Sequence, residues 1–227
     1  MKAFQSNIRF LLIAITLLFA ACGIVKKSPT SGKHILGVET QYGIMKIKLY
    51  DATPVHRDNM IKLVEQGYYN GTTFFRVIKN FMMQGGSSDT RNAPAGVALG
   101  ENDTLKYTIQ SEIHNGIYHK KGALAQARED NPEKRSHGGE FYIVQGKVYL
   151  PDSLEAYAKR RKFTLNDDQR KIYTTVGGAP HLDGNYTVYG EVIEGLNIID
   201  SICNVPTTKE INDRPLKDIV MKVWMIK

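Results

Sequence analysis

Residues 74–86 read FFRVIKNFMMQGG, and no other stretch constrains the fold as tightly. Phe74, Phe75, Val77 and Ile78 form one apolar run, and Phe81, Met82 and Met83 form a second. Lys79-Asn80 turns the chain between them and Gln84-Gly85-Gly86 ends it. Short apolar runs bounded by turn residues read as buried strands. Arg76 interrupts the pattern with a fixed positive charge. Fully buried charges are rare unless paired, so Arg76 is either a rim residue or the polar centre of an apolar site.

The surrounding chain supplies more short strands. ILGVET and GIMKIKLY flank Tyr42-Gly43, and Met45, Ile47 and Leu49 alternate with Ile44, Lys46 and Lys48, the period-two signature of a hairpin with one buried face. The period then changes. Thr53 is an N-cap candidate, Pro54 suits the first helical position, Met60, Ile61, Leu63 and Val64 make an apolar stripe, and Gly67 suits the stop. From there to about residue 145 short β-like runs return, GALAQA and EFYIVQG among them, and close spacing of such runs argues for a barrel.

Residues 147–178 break that rhythm. Asp152 with Glu155 suggests one capped helix, and Leu165, Gln169, Ile172, Tyr173 and Val176 recur at helical spacing before Gly177-Gly178, so the segment reads as a two-helix insertion. A turn at Asp183-Gly184, a strand over 187–193, a short helix in EGLNIIDSI and a final strand in DIVMKVWMI complete the chain.

The first residues have a different layout. Lys2 and Arg9 precede the apolar run Phe10 to Ala21 with no acidic residue, as in a signal peptide, and that run is shorter than the roughly 20 residues a spanning helix needs. LFAAC at 18–22 resembles a bacterial lipobox, which implies cleavage before Cys22 and a lipid on its thiol. The expected organisation is a signal peptide over 1–21, a lipidated polar tether over 22–33 and one domain over 34–227. An ordinary signal peptide with an incidental Cys22, or an uncleaved anchor, is the alternative.

With the Cys22 thiol lipidated, Cys203 would be the one free cysteine of the mature chain, so no intramolecular disulfide is available and the core must suffice. Cleavage removes Lys2 and Arg9, leaving 28 basic against 23 acidic residues, or +5. No basic stripe interleaved with aromatics points to nucleic acid. Of the six histidines, His56, His114, His119, His137 and His181 are scattered without zinc-ligand spacing, and no nucleophile elbow is present. No metal and no cofactor is expected. KRRK at 159–162 reads as a solvated helix face or as a contact for a partner or anionic surface.

Three segments in order, FFRVIKNFMMQGG, GALAQAREDNPEKRSHGGEFYIV and HLDGNYTVYGEVIEGLNIID, resemble the cyclophilin-type peptidyl-prolyl isomerases, the first through the pattern F-x-R-x-I-x-x-F-x-x-Q-G-G. The resemblance runs from about residue 35 to 227, apart from the insertion. It implies a mainly β fold, a closed eight-stranded antiparallel barrel capped by two helices. It puts Arg76 at the catalytic position, with Gln84 beside it, and Phe81, Met82, Ala127, Glu140, Tyr142, Leu182 and Tyr186 in the substrate site. Three departures from frequent family residues matter: Glu140 replaces a glutamine, Arg128 an asparagine and Tyr186 a histidine; Tyr142 stands where the family usually has phenylalanine, and His181 where some members carry tryptophan. Glu140 either orients the guanidinium or is a solvated rim charge.

The implied reaction is rotation about X-Pro bonds, whose barrier of roughly 18–20 kcal/mol comes from amide resonance. It needs no nucleophile, but a proline pocket and a donor that stabilises the twisted amide. The implied partners are proline-containing polypeptides and, through the lipid, a bacterial envelope membrane on its periplasmic side, with the protein a monomer. A non-catalytic module that holds proline segments is the alternative from another class, and a structural envelope protein a third.

Overall fold

The computed structural model describes residues 34–226; the signal segment, Cys22 and the tether lie outside the described residues. The order of elements is β1 (Ile35–Thr40), β2 (Gly43–Leu49), α1 (Pro54–Glu65), β3 (Phe74–Ile78), β4 (Met82–Gly85), β5 (Thr108–Ile109), β6 (Ala123–Gln126), β7 (Ser136–His137), β8 (Phe141–Val144), α2 (Pro151–Arg161), α3 (Asp167–Thr175), β9 (Val188–Glu194), α4 (Leu196–Cys203), β10 (Thr207–Thr208), β11 (Arg214–Pro215) and β12 (Lys222–Ile226). Among them no helix is long and apolar enough to cross a membrane.

Eight strands form one antiparallel sheet in the order β12-β1-β2-β9-β6-β8-β4-β3. The sheet curls but does not close, which corrects the expected closed barrel: no ladder joins β3 to β12. The reason lies in the chain that leads into β12. The Phe74 N–H donates to the Ile219 carbonyl (3.0 Å) and the Met221 N–H to the Thr72 carbonyl (2.8 Å), so irregular backbone takes the position of a closing strand.

The period-two pattern sorts side chains onto two faces. Met83 of β4 with Phe141 and Ile143 of β8 point into the main core, which also buries Leu36, Ile47, Phe74 and Tyr189. Met82, Tyr142 and Val144 point the other way into a second apolar cluster with Ala125, Ala127, Leu182 and Val188. Because β4 and β8 bury both faces, their sequences read as continuous apolar runs.

The helix α1 begins at Pro54 as expected, but Thr53 supplies no side-chain cap. Glu112 caps it instead, accepting from the Val55 and His56 N–H groups at 3.0 and 2.9 Å. Residues 147–178 contain two helices with their own small core of Tyr149, Leu154, Ala158, Leu165 and Tyr173. Its first helix differs from expectation: Leu150 precedes Pro151 at the start, and no Asp152–Glu155 box forms. The capping box is on α3, between Asn166 and Gln169. The hairpin re-enters the sheet at Gly178 (φ +152°), where an added Cβ would overlap the His119 carbonyl; only glycine lets the two backbones pass this close. Cys203 is buried on α4, which pushes its thiol up to about 12.

Candidate functional site

Arg76 on β3 pairs directly with Gln84 on β4, and Gln84 with Tyr142 on β8, so three neighbouring strands present one row of side chains on the face away from the main core. Arg76 Nη1 donates to Gln84 Oε1 at 3.4 Å, and Gln84 Nε2 donates to Glu140 Oε2 at 3.0 Å. The amide of Gln84 is thereby oriented from both ends. Arg76 Nε–H is buried and has no partner, which makes it a free, fixed donor.

A cavity of about 150 Å³ opens beside this donor, lined by Arg76, Phe81, Met82, Gln84, Ala127, Arg128, Tyr142, Leu182 and Tyr186. All the residues assigned from sequence to catalysis and substrate binding except Glu140 therefore share one concave wall. Glu140 lies behind Gln84 and lines a larger adjoining cavity of about 580 Å³, which shares Gln84, Ala127 and Arg128. It is not a solvated rim charge: it is 6% exposed, and burial, reinforced by the Asp103 and Asp89 carboxylates, pushes its carboxyl up to about 7 against the Gln84 hydrogen bond.

Further neighbours shape this wall, and two of them, His119 and Asp183, were not legible as site residues. Arg128 is held by the Asn185 carbonyl (2.9 Å) and lies over the Tyr186 ring at 5.0 Å, so the groove wall carries a second guanidinium. Tyr142 sits on a relay: its hydroxyl donates to His119 Nε2 (3.0 Å) and His119 Nδ1–H donates to Asp183 Oδ1 (2.8 Å). Asp183 Oδ2 accepts from Tyr173 (2.6 Å) and Gln169 (2.8 Å) of α3. Burial raises the Asp183 carboxyl, but the bonds from His119 and Tyr173 outweigh it and hold the group below the usual range. The pocket floor is thus tied to the α2–α3 hairpin. On the opposite wall His181 lies against Phe81 at 5.4 Å, and burial together with Arg161 lowers its imidazole to about 4, so it is neutral at pH 7.

Two other clusters invite a chemical reading. Asp103, His137 and Glu140 bring one ligand atom each within 4.8 Å of the others, a proximity the histidine spacing did not reveal. His137 Nδ1, however, already accepts from the Gly139 and Glu140 N–H groups at 3.1 and 3.2 Å, which occupies the lone pair a cation would need. Glu112, His56 and Ser136 line up as an acid, a base and a hydroxyl (2.6 and 3.0 Å), yet Ser136 is 1% exposed and lines neither cavity. That line fastens the start of α1 to β7.

The family model for cyclophilin type peptidyl-prolyl cis-trans isomerases matches residues 35–225. A Staphylococcus saprophyticus protein provisionally named as a peptidyl-prolyl cis-trans isomerase is 31% identical over 185 residues, covering 81% of this chain and 87% of its own. A Streptococcus pyogenes protein provisionally named as a bifunctional phosphatase/peptidyl-prolyl cis-trans isomerase is 30% identical over 190 residues; the match takes in 82% of this chain but only 37% of that longer protein. Among solved structures, a Cryptosporidium parvum cyclophilin type isomerase superposes with a TM-score of 0.64 at 20% identity, covering 86% of this chain and 99% of its own, and that protein has also been crystallised in the presence of the dipeptide Ala-Pro.

Proposed function

The chain belongs to the cyclophilin-type peptidyl-prolyl cis-trans isomerases, and from that premise we propose that Arg76 is its catalytic donor and that its substrates are proline-containing polypeptides exported to a bacterial envelope. The observation that carries the catalytic assignment is the buried, unpartnered Nε–H of Arg76 at the wall of a cavity of about 150 Å³ that Phe81, Met82, Tyr142 and Leu182 also line.

The reaction breaks no bond, so the site has to stabilise a twisted amide better than a planar one. As the X-Pro bond turns, the prolyl nitrogen regains its lone pair. A guanidinium that stays charged at every physiological pH donates to that lone pair, an interaction the planar ground state cannot make. Gln84 holds Arg76 in register and keeps one amide hydrogen for a substrate carbonyl, because only the other is taken by Glu140. Phe81, Met82, Tyr142 and Leu182 hold the proline ring, while Ala127 and Tyr186 flank the residues beside it. A charge-assisted hydrogen bond contributes up to about 3 kcal/mol, or roughly two orders of magnitude in rate. Fixing the peptide and excluding water from the amide supply the remainder.

The same reading makes residues 34–227 the isomerase domain with 147–178 inserted into it, residues 1–21 a cleaved signal and 22–33 a tether lipidated at Cys22. It places the monomer on the periplasmic side of an envelope membrane. The sequence layout supports this part. Radiolabelled palmitate should enter the wild type in a bacterial host and not Cys22→Ser; label in both, or in neither, removes the anchor. For the activity, exchange spectroscopy on an X-Pro peptide at equilibrium should show cis and trans signals interconverting within seconds when the full-length protein is added. Binding without exchange would leave a proline-holding module.

A further inference from the structure

The inserted hairpin places a cationic aromatic shelf against the proline pocket, and we infer that this shelf selects substrates with acidic residues near the proline. The inference rests on the isomerase reading of the groove but concerns what flanks the reacting bond.

The contacts run outward from the pocket wall in short steps. Phe81, which lines the pocket, lies 5.4 Å from the His181 ring. His181 meets the Tyr157 ring edge-on at 5.9 Å. Over Tyr157 stand the guanidinium groups of Arg160 and Arg161, at 5.3 and 5.8 Å from its centroid. Residues 157, 160 and 161 are spaced i, i+3 and i+4 on α2, so all three present the same face. Three such steps lie within reach of about five extended substrate residues.

The charge on this shelf is uncommitted. Arg170 on α3 is neutralised by Glu155 (2.7 Å) and Asp167 (3.1 Å). Among the described residues no carboxylate pairs with Lys159, Arg160, Arg161 or Lys162, and all four are exposed. Basic residues in the last turn of α2 suit the helix dipole, but that does not account for two guanidiniums gathered within cation–π distance of one ring that leads to the pocket. With no carboxylate partner, their N–H groups are open to an acidic side chain. The shelf is also held in place: Gln169 and Tyr173 of the hairpin bond Asp183, which bonds His119 beneath the pocket. His181, neutral at pH 7, adds no competing charge.

An anionic membrane surface is the other ligand such a cluster could take, but lipid contact would not require the aromatic path to Phe81. Exposed ion pairs are individually weak, so two arginines together should favour an acidic flank by roughly three- to thirtyfold in affinity at low salt, a preference screened at high salt.

The test uses the full-length protein in neutral detergent and fluorescein-labelled Ala-Ala-Pro-Phe peptides extended on either side by three glutamates, three glutamines or three lysines. Affinity is read by fluorescence anisotropy and turnover by cis-to-trans kinetics, each in low salt and in 0.5 M salt. The expected result is a tighter Kd for a glutamate-extended peptide, lost at high salt and reversed in Arg160→Glu/Arg161→Glu. Equal affinities for the three charges, or a glutamate preference the double variant retains, would overturn the inference. So would binding to phosphatidylglycerol-containing vesicles that the double variant abolishes while the peptide ratio stays at one. Because affinity is measured apart from turnover, failure of catalysis on every peptide would count against the isomerase reading and not against the shelf.

Discussion

Arg76 and Gln84 face each other across β3 and β4, with Nη1 and Oε1 3.4 Å apart, and Gln84 is fixed from behind by Glu140 at 3.0 Å. The guanidinium therefore meets the pocket with one donor spent on position and Nε–H free. Three consequences can be measured.

The fork geometry matters as well as the charge. Arg76→Lys keeps a cation but loses the planar donor set that reaches Gln84 and the substrate together. Its kcat/KM toward X-Pro peptides should fall by roughly 10²-fold, the scale of losing one preorganised donor. Activity within about threefold of wild type would show that any positive charge suffices.

Glu140 should give the protein a pH dependence centred near 7. Its folded pKa of about 7 lies above the ordinary 4.5, so the folded state holds the proton more tightly than the unfolded state. Stability is then fully present at low pH and decreases as pH rises from 4.5 through 7. Glu140→Gln should be more stable than wild type at pH 8, by up to about 3 kcal/mol, and equal to it at pH 4. Ionised Glu140 also grips the Gln84 amide more firmly, so wild-type kcat/KM should rise severalfold through pH 7 while the variant's profile is flat. Superimposable profiles and denaturation curves would show that Glu140 does not titrate there.

The relay beneath the pocket should be felt in stability before catalysis. Tyr142→Phe keeps the ring but strands His119 Nε2, a buried acceptor, which costs about 1–3 kcal/mol in urea denaturation. Turnover should stay within about threefold, since the pocket wall keeps its shape. A large loss of turnover with unchanged stability would put the hydroxyl in the reaction.

Much of this site was legible because the informative residues are local. Arg76, Phe81, Met82 and Gln84 lie within nine positions, and strand periodicity alone puts Met82 and Gln84 on one face. The hairpin β1–β2, the helix α1 and the α2–α3 pair were equally readable from changes of period. What sequence did not reveal depends on contacts between distant segments. Asp183 looked like half of a turn, yet it joins His119, 64 positions earlier, to α3. The cap of α1 comes from Glu112, 57 positions beyond Val55 in the first turn, so no local cap pattern could have identified it. The open edge of the sheet is decided by irregular backbone around 216–221, whose apolar residues resemble a strand but make only an isolated bridge, Thr73 with Val220.

The most direct measurement is the rate of cis-to-trans isomerisation of an Ala-Ala-Pro-Phe peptide with the full-length protein, beside Arg76→Ala of matched circular dichroism and thermal midpoint. The expected result is strong acceleration by the wild type and a loss of about 10²- to 10³-fold in kcat/KM in the variant, with peptide affinity reduced far less. Acceleration that survives in Arg76→Ala would contradict the assignment of Arg76 as the catalytic donor, and a folded wild type that binds the peptide without accelerating it would contradict catalysis by this groove altogether.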